Sequence, residues 1–589
     1  MPLPPDFSPE EKDDSKTSAI SPGRKQLCSW IATICGAVLV WAAIYAPVRH
    51  FDFLNFDDDM FLSDNPWLTR GLTWQSVQWA FCANLTLFSN HAEYWSPITL
   101  LSRLADAEIF GMAPGAFHVT SAAIHLLNAA LLWFALFRLT GARWRAAVVA
   151  ALFLVHPLNV EPVCWLSARK DLLGATFFFV TLIAYASFAR KPNLGRYLLV
   201  IASVFAALMS KPMAVTLPLL LLFLDWWPLD RWNDPTRTRS VRLLFEKLPI
   251  ALIAAAGAWL AVASQKFWGA IRTQDEFSLS VRVINALVSY TTYLRRIVWP
   301  SDLAIYYPHP GHSLTFAAGL AAFLFLSLVS AAAILLARRT PFFLAGWLWF
   351  GVVLGPVIGL VQIGNQGMAD RYAYPSVIGI FIALVWGAEA WLRKHPRLAA
   401  TGAVAAVSLL AIISARQVLT WRNSETVFRQ ALAVTSNNEL AHLNLGNVYF
   451  LRKDYLAAQE EYHRSLAVRP GQFLVWNNLG VVATKLGNEE EAINDYRKAL
   501  AINPTEKKSR ISLARLLASR NEFAEAEFLL RVAVGAEPDW REPYAELDKI
   551  YSAQGRWSTA AALWSGYLLL HPTDPVAIKA LDAIHAHEK

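Results

Sequence analysis

Cysteine is scarce in this chain. Only Cys28, Cys35, Cys82 and Cys164 occur among 589 residues, and they show no metal-ligand spacing. There is no HExxH, Walker or paired CxxC pattern either, so soluble metalloprotease and nucleotide-hydrolase readings lose support. Charge is thin: 17% of residues are charged against 55% hydrophobic, with 24 tryptophans, a balance unusual for a soluble protein. The formal charge of +8 is spread over short loops, which fits membrane orientation and argues against a nucleic-acid partner.

What the chain does have is apolar sequence in bilayer-length pieces. Such runs recur from Leu27 to Ala415 with few charges between them. They predict about eleven spanning helices, near 27–46, 117–137, 146–157, 171–189, 196–211, 213–229, 248–264, 313–337, 341–362, 374–392 and 398–415. After Arg416 charged residues become frequent and apolar positions take amphipathic spacing. Residues 1–26, rich in Pro, Asp, Glu, Lys and Ser, read as a disordered cytoplasmic tail and not as a cleavable signal peptide.

Basic residues in short loops are retained on the cytoplasmic side. Arg24/Lys25, Arg138/Arg143/Arg145, Arg190/Lys191, Arg231 to Lys247, Arg338/Arg339 and Arg393/Lys394/Arg397 all fall on one side of the predicted spans. A twelfth apolar stretch, Val283 to Leu303, would break that pattern if it crossed. It is therefore assigned to the outer interface, with Arg295 and Arg296 reaching headgroups and Trp299 at the boundary. The N-terminus is then inside, and everything after Arg416 lies outside the cytoplasm. Cys82 and Cys164 fall in outer loops, where a disulfide is open to them but not expected.

The last third repeats. Pro470, Pro504, Pro538 and Pro572 stand 34 residues apart, as do Ala458, Ala492, Ala526 and Ala560, and the pairs Leu445/Gly446 and Leu479/Gly480 keep the same step. This is the period of tetratricopeptide (TPR) repeats: small residues let two helices approach, and the proline ends the second. The spacing predicts four repeats within 416–589, near 439–472, 473–506, 507–540 and 541–574, with flanking helices near Asn423 to Val434 and Pro575 to His587. The chain as a whole is all-α.

Ionisable residues beside membrane helices are costly unless paired or used. Four outer stretches hold them: "NFDDDMFLSDNP" with Asp57, Asp58 and Asp59, "HPLNVEPVCWLSARKD" with His156, Glu161, Arg169, Lys170 and Asp171, "SKPMAVTLP" with Lys211, and "NQGMADRYAYP" with Asp370 and Arg371. A solvated acidic loop, a salt-bridged structural loop or a plain headgroup contact would each be the bland account. His118, His125 and Asn128 share one face of the second span and read as interhelical hydrogen-bonders.

With "YWSPITLLSRLADAEIFGMAPGAFHVTSAAIHLLN" and the repeats, these stretches resemble the transmembrane and tetratricopeptide repeat-containing (TMTC) proteins and their bacterial relatives, multispan glycosyltransferases of the GT-C type. The resemblance covers nearly the whole chain beyond residue 27. It implies a polytopic GT-C-type helix bundle in residues 27–415, followed by the repeat solenoid. It also implies a polyprenyl-phosphate-linked sugar as donor, mannose being the family's sugar, and a polypeptide acceptor. Asp57 and Asp58 match the family's first-loop acidic pair, and Glu161 and Arg169 its second-loop Glu and Arg. At Asp370–Arg371 animal relatives usually carry Glu–Arg, and their arrays are longer.

Transfer from a lipid phosphate needs a base for the acceptor hydroxyl and positive charge for the departing phosphate. The expected base is Asp57 or Asp58. Arg371, with Lys211 or Arg169, is expected to hold the phosphate, with Glu161, Asp171, His156 and Asp370 in support. No cofactor is required and no metal site is expected, although the acidic cluster leaves room for a divalent ion. Membrane lipids surround the bundle, and the repeats would hold an acceptor or partner protein in their groove. The expected location is a bacterial inner membrane, with a cytoplasmic N-terminus and a periplasmic array. The competing reading is a non-catalytic membrane-anchored TPR scaffold; a lipid transporter would call for more charge deep within the spans.

Overall fold

The computed structural model describes residues 22–83, 94–232, 240–273 and 276–587. The tail residues 1–21 lie outside them. Residues 22–26, expected in the tail, instead open the first helix, Pro22–Tyr45. A proline is tolerated at a first helical position, where the missing N–H would have had no intrahelical partner.

The fold is an all-α membrane bundle followed by a TPR stack. Among the described residues six helices are long and apolar enough to cross a membrane, and a bent pair, Arg143–Val155 with Pro157–Cys164, makes up to seven. Four shorter apolar helices, Leu194–Leu208, Pro212–Trp226, Pro341–Val357 and Val377–Trp391, fall at the remaining expected spans. They are shorter than the roughly 20 residues that cross a bilayer unaided. Pro157 follows the bend, which turns Pro157–Cys164 by 59° and lays it across one end of the bundle.

Interhelical hydrogen bonds knit the interior. His125 bonds the Tyr374 hydroxyl (2.7 Å) and the Leu154 carbonyl (3.1 Å), and Asn128 donates to the Leu172 carbonyl (2.9 Å) and to Tyr374 (3.2 Å). In an apolar surround these polar groups must find partners within the protein. At one end of the bundle Asp225 gathers three helices and their loop. Tyr185 donates to it at 2.5 Å, Arg231 at 3.0 Å and Lys247 at 2.5 Å, while Arg231 also meets Glu246 at 2.9 Å. Arg145 pairs with Glu389 at 2.7 Å.

The expected interfacial segment is a helix, Leu279–Val298, capped by Ser278. It packs against Phe316–Leu335 and beside a short antiparallel pairing of Tyr307–Pro308 with Gln366–Met368. Arg295 is half exposed, but Arg296 does not reach for headgroups. It is buried and pairs with Asp370 at 3.2 Å, because an arginine turned inward from this helix must meet a carboxylate.

Beyond Trp421, helix Ser424–Val434 opens with a capping box on Asn423 and Thr426. Four antiparallel helix pairs follow, from Glu439–Leu451 to Trp557–Leu570, and Pro575–His587 closes the stack. The LG step has a steric cause. A Cβ on Gly446 would stand 2.5 Å from the Tyr462 ring, and one on Gly480 2.7 Å from Tyr496, so each glycine admits the ring of its partner helix. Phe428, Ala431, Ala441 and Leu445 share one apolar core with the membrane helices, so the head of the array is seated on the bundle.

Candidate active site at one end of the bundle

The acidic stretch is a tight loop. Asp57 has φ of +68°, a left-handed backbone that few non-glycine residues adopt and that Asp tolerates better than most. Successive carboxylates are thereby thrown to different sides. Asp59 is exposed and accepts from the Met60 N–H at 2.8 Å, as a turn residue does. Asp57 is half-buried.

Asp58 is fully buried, and both its oxygens are in use. One accepts from the Ser167 N–H (2.9 Å) and hydroxyl (2.6 Å), the other from the Leu54 N–H (3.2 Å). Burial pushes its carboxyl up to about 7, against the pull of those donors and of Arg103. A carboxylate so enclosed ties the loop to the Leu166–Ala168 turn. The role expected of a base therefore falls more readily to half-buried Asp57 than to enclosed Asp58.

Arg169, expected to help hold the phosphate, is enclosed too. It is fully buried, with Asp106 at 2.5 Å, the Phe117 carbonyl at 2.6 Å and Ser121 at 3.2 Å. Its fork is filled and cannot meet a phosphate. His156 is buried too, bonded to the Ile297 carbonyl at 2.9 Å and to the Leu158 N–H at 3.2 Å, and so holds the chain bend. Asp370 faces Arg296 and the Tyr307 hydroxyl (2.8 Å), away from any open space, and burial raises it to about 6.

The remaining residues converge. Glu161 grips Arg371 twice, at the guanidinium (2.5 Å) and at the backbone N–H (2.7 Å). The Arg371 guanidinium lies 4.8 Å over the Trp165 ring and 5.0 Å from Tyr372, with Gln366 at 3.4 Å. Lys211, in ion pair with Asp171, stands 5.7 Å from the centre of the same Tyr372 ring. The second Asp171 oxygen has no hydrogen-bond partner, and a small cavity opens beside this pair between Gly174, Phe178, Met213 and Pro375. Phe56, next to Asp57, stacks on the far edge of the same assembly, 5.3 Å from Trp165. Thus the first loop, Glu161, Asp171, Lys211 and Arg371 meet at one end of the bundle, with the cations on an aromatic floor.

Several participants are not singled out by the sequence as site residues. Arg296, read as a headgroup contact, and Asp106 had a signal, since each is an ionisable residue in an apolar run. Trp165, Tyr372 and Ser167 had none, because their roles depend on which loops meet. Among the described residues no group of three or more His, Cys, Asp or Glu gathers as a metal site. Cys82 and Cys164 are free thiols, one exposed and one buried.

Residues 473–506, the second repeat pair, match the family model for the tetratricopeptide repeat. In sequence the chain is 32% identical over 144 residues to the human "Protein O-mannosyl-transferase TMTC1", a stretch that is 24% of this chain and 16% of that one. It is 21% identical over 519 residues to mouse "Protein O-mannosyl-transferase TMTC3", covering 77% of this chain and 54% of that one. The chain thus spans about half or less of the relatives compared. The crystal structure of ArnT from Cupriavidus metallidurans bound to undecaprenyl phosphate aligns with 91% of this chain and 80% of its own, at 15% identity and a TM-score of 0.32. A likeness at that score carries no argument.

Proposed function

We propose that this chain, a sequence relative of the TMTC proteins, is a GT-C-type membrane glycosyltransferase. It moves a sugar, with mannose the first candidate, from a polyprenyl-phosphate donor to a hydroxyl of a protein acceptor. The observation that carries the reading is that the loop bearing Asp57, through Phe56, and the pairs Glu161–Arg371 and Asp171–Lys211 meet around Trp165 and Tyr372. A scaffold would have no need to gather them.

In this reading Asp57 takes the proton of the acceptor hydroxyl as its oxygen bonds the anomeric carbon. The bond from that carbon to the phosphate oxygen breaks on the opposite face, so the configuration inverts. The polyprenyl phosphate departs with its charge met by Arg371 and Lys211. Glu161 uses one edge of Arg371, and the Nη2 side, which meets Gln366 at 3.4 Å, is the edge turned to the phosphate. Asp171 keeps Lys211 charged in a buried setting. The end that carries this cluster faces the noncytoplasmic side. In a bacterial inner membrane the N-terminus is then cytoplasmic and the repeats periplasmic, with their groove open to the acceptor protein.

Purified protein given polyprenyl-phosphate mannose and a hydroxyl-bearing peptide tests this. Asp57→Asn should lower transfer by about two to four orders of magnitude, the usual effect of losing a general base. Asp59→Asn should leave the rate near parental, and Arg371→Ala should mainly raise the KM for the donor. Parental transfer by Asp57→Asn would remove the first loop from the chemistry.

A further inference from the structure

A line of rings runs from the repeat array to the proposed phosphate-binding arginine. Phe428, on the array's leading helix, is fully buried and meets Phe56 edge-on at 6.1 Å and 85°. Phe56 stacks on Trp165 at 5.3 Å and 16°, and its carbonyl accepts from the Trp165 indole N–H at 3.1 Å. Trp165 in turn carries the Arg371 guanidinium, 4.8 Å from its ring centre.

The array also holds the backbone of the acidic loop. The Asn55 N–H donates to the Ser424 hydroxyl at 2.9 Å, the Asn55 amide donates to the Asn444 carbonyl at 3.1 Å, and the Asp52 N–H donates to the Arg422 carbonyl at 3.1 Å. Asp57 follows two residues after Asn55 in its left-handed conformation, and Asp58 is pinned by Ser167. The loop therefore has one support from the bundle and one from the repeats, and Asp57 sits between them.

We infer that the head of the repeat array, through Phe428, Ser424 and Asn444, is a wall of the active site, with Phe428 and Phe56 as positioning residues that set Arg371 and Asp57. The physical ground is that aromatic contacts constrain ring orientation as well as separation. A guanidinium resting on an indole takes its place from the indole, and Trp165 takes its place from Phe56. A module that merely carried the acceptor would need a tether to the bundle and a groove. It would not need to share a buried ring line with a phosphate-binding group. The assignment rests on the proposed transferase reading.

The test uses the full-length protein and two readouts, hydrogen exchange over 52–66 and 364–374 and steady-state transfer from polyprenyl-phosphate mannose. Phe428→Ala should speed exchange in both segments by roughly tenfold, reflecting local loosening. It should raise the donor KM by about five- to twentyfold while kcat stays within about threefold. Phe428→Leu, which refills the volume, should recover most of both. Ser424→Ala, which removes one hydrogen bond and risks little in folding, should speed exchange over 52–66 and carries the test if Phe428→Ala fails to accumulate. Trp564→Ala, in the fourth repeat, should change neither segment. Parental exchange in Phe428→Ala and Ser424→Ala overturns the inference, as does loosened exchange with an unmoved donor KM. If the parent transfers no sugar, the transferase reading fails, and exchange alone decides whether the array holds these segments.

Discussion

Two adjacent aspartates, chemically identical and one residue apart, end in opposite situations. The left-handed turn at Asp57 leaves it half-buried, while Asp58 is folded under and enclosed. Asp58 titrates near 7 in the folded protein, against an ordinary value of 3.8. The native state therefore keeps a proton that the unfolded chain has released. The associated stabilisation is fully present below about pH 4 and is lost as pH rises through about 7. Thermal unfolding in detergent should thus show a midpoint that falls between about pH 5 and pH 8. Asp58→Asn, which cannot ionise, should make that slope shallower, with Asp370 and Glu161, raised in the same range, supplying the remainder, and its main cost should fall on the contacts with Leu54 and Ser167. An unchanged slope would mean that other groups govern it. No reading of "DDD" alone could have separated the two residues, because the distinction comes from Ser167, more than a hundred residues away. The setting of Arg169 is illegible for the same reason: nothing linear connects it to its partner Asp106.

Elements were far easier to read than sites. Each apolar run produced a helix because a backbone in hydrocarbon must satisfy its own hydrogen bonds, and the 34-residue step produced helix pairs because small residues recur where helices touch. Helix lengths were less legible. The bend at Pro157 and the short helices at 194–208 and 341–357 depend on neighbours that shield their ends, which composition does not reveal. Within the array, Gly480 offers a clean test. Its Cβ position is 2.7 Å from the Tyr496 ring, whereas Gly471 has nothing within 4 Å. Gly480→Ala should destabilise its helix pair by about 1–3 kcal/mol, the range for overfilling a packed site. Protease should cut within 473–506 faster in that variant, and Gly471→Ala should behave as the parent. Equal cleavage of all three proteins would mean that Tyr496 moves aside at no cost.

For the whole molecule the decisive question is which end faces which compartment. The proposed orientation, argued from the Lys/Arg asymmetry, has the array and the Arg371 end outside, so alkaline phosphatase fused after Lys589 should be active and a fusion after Arg339 inactive. The reverse result would turn the proposed active face toward the cytoplasm. The opposite end has its own logic, centred on Asp225. Two largely buried acids, Asp225 and Glu246, and two largely buried bases, Arg231 and Lys247, interlock there around Tyr185, with the exposed Arg242 at 3.7 Å from Glu246 as an outer partner. The charges of the four inner members cancel, so they can sit beside hydrocarbon without a net ion to hydrate. Removing any single member would strand one uncompensated charge in a poorly hydrated place, a far heavier penalty than losing a surface pair. That end of the bundle can therefore accept change only in twos of opposite sign, so a substitution at Lys247 is tolerable only in company with one at an acid.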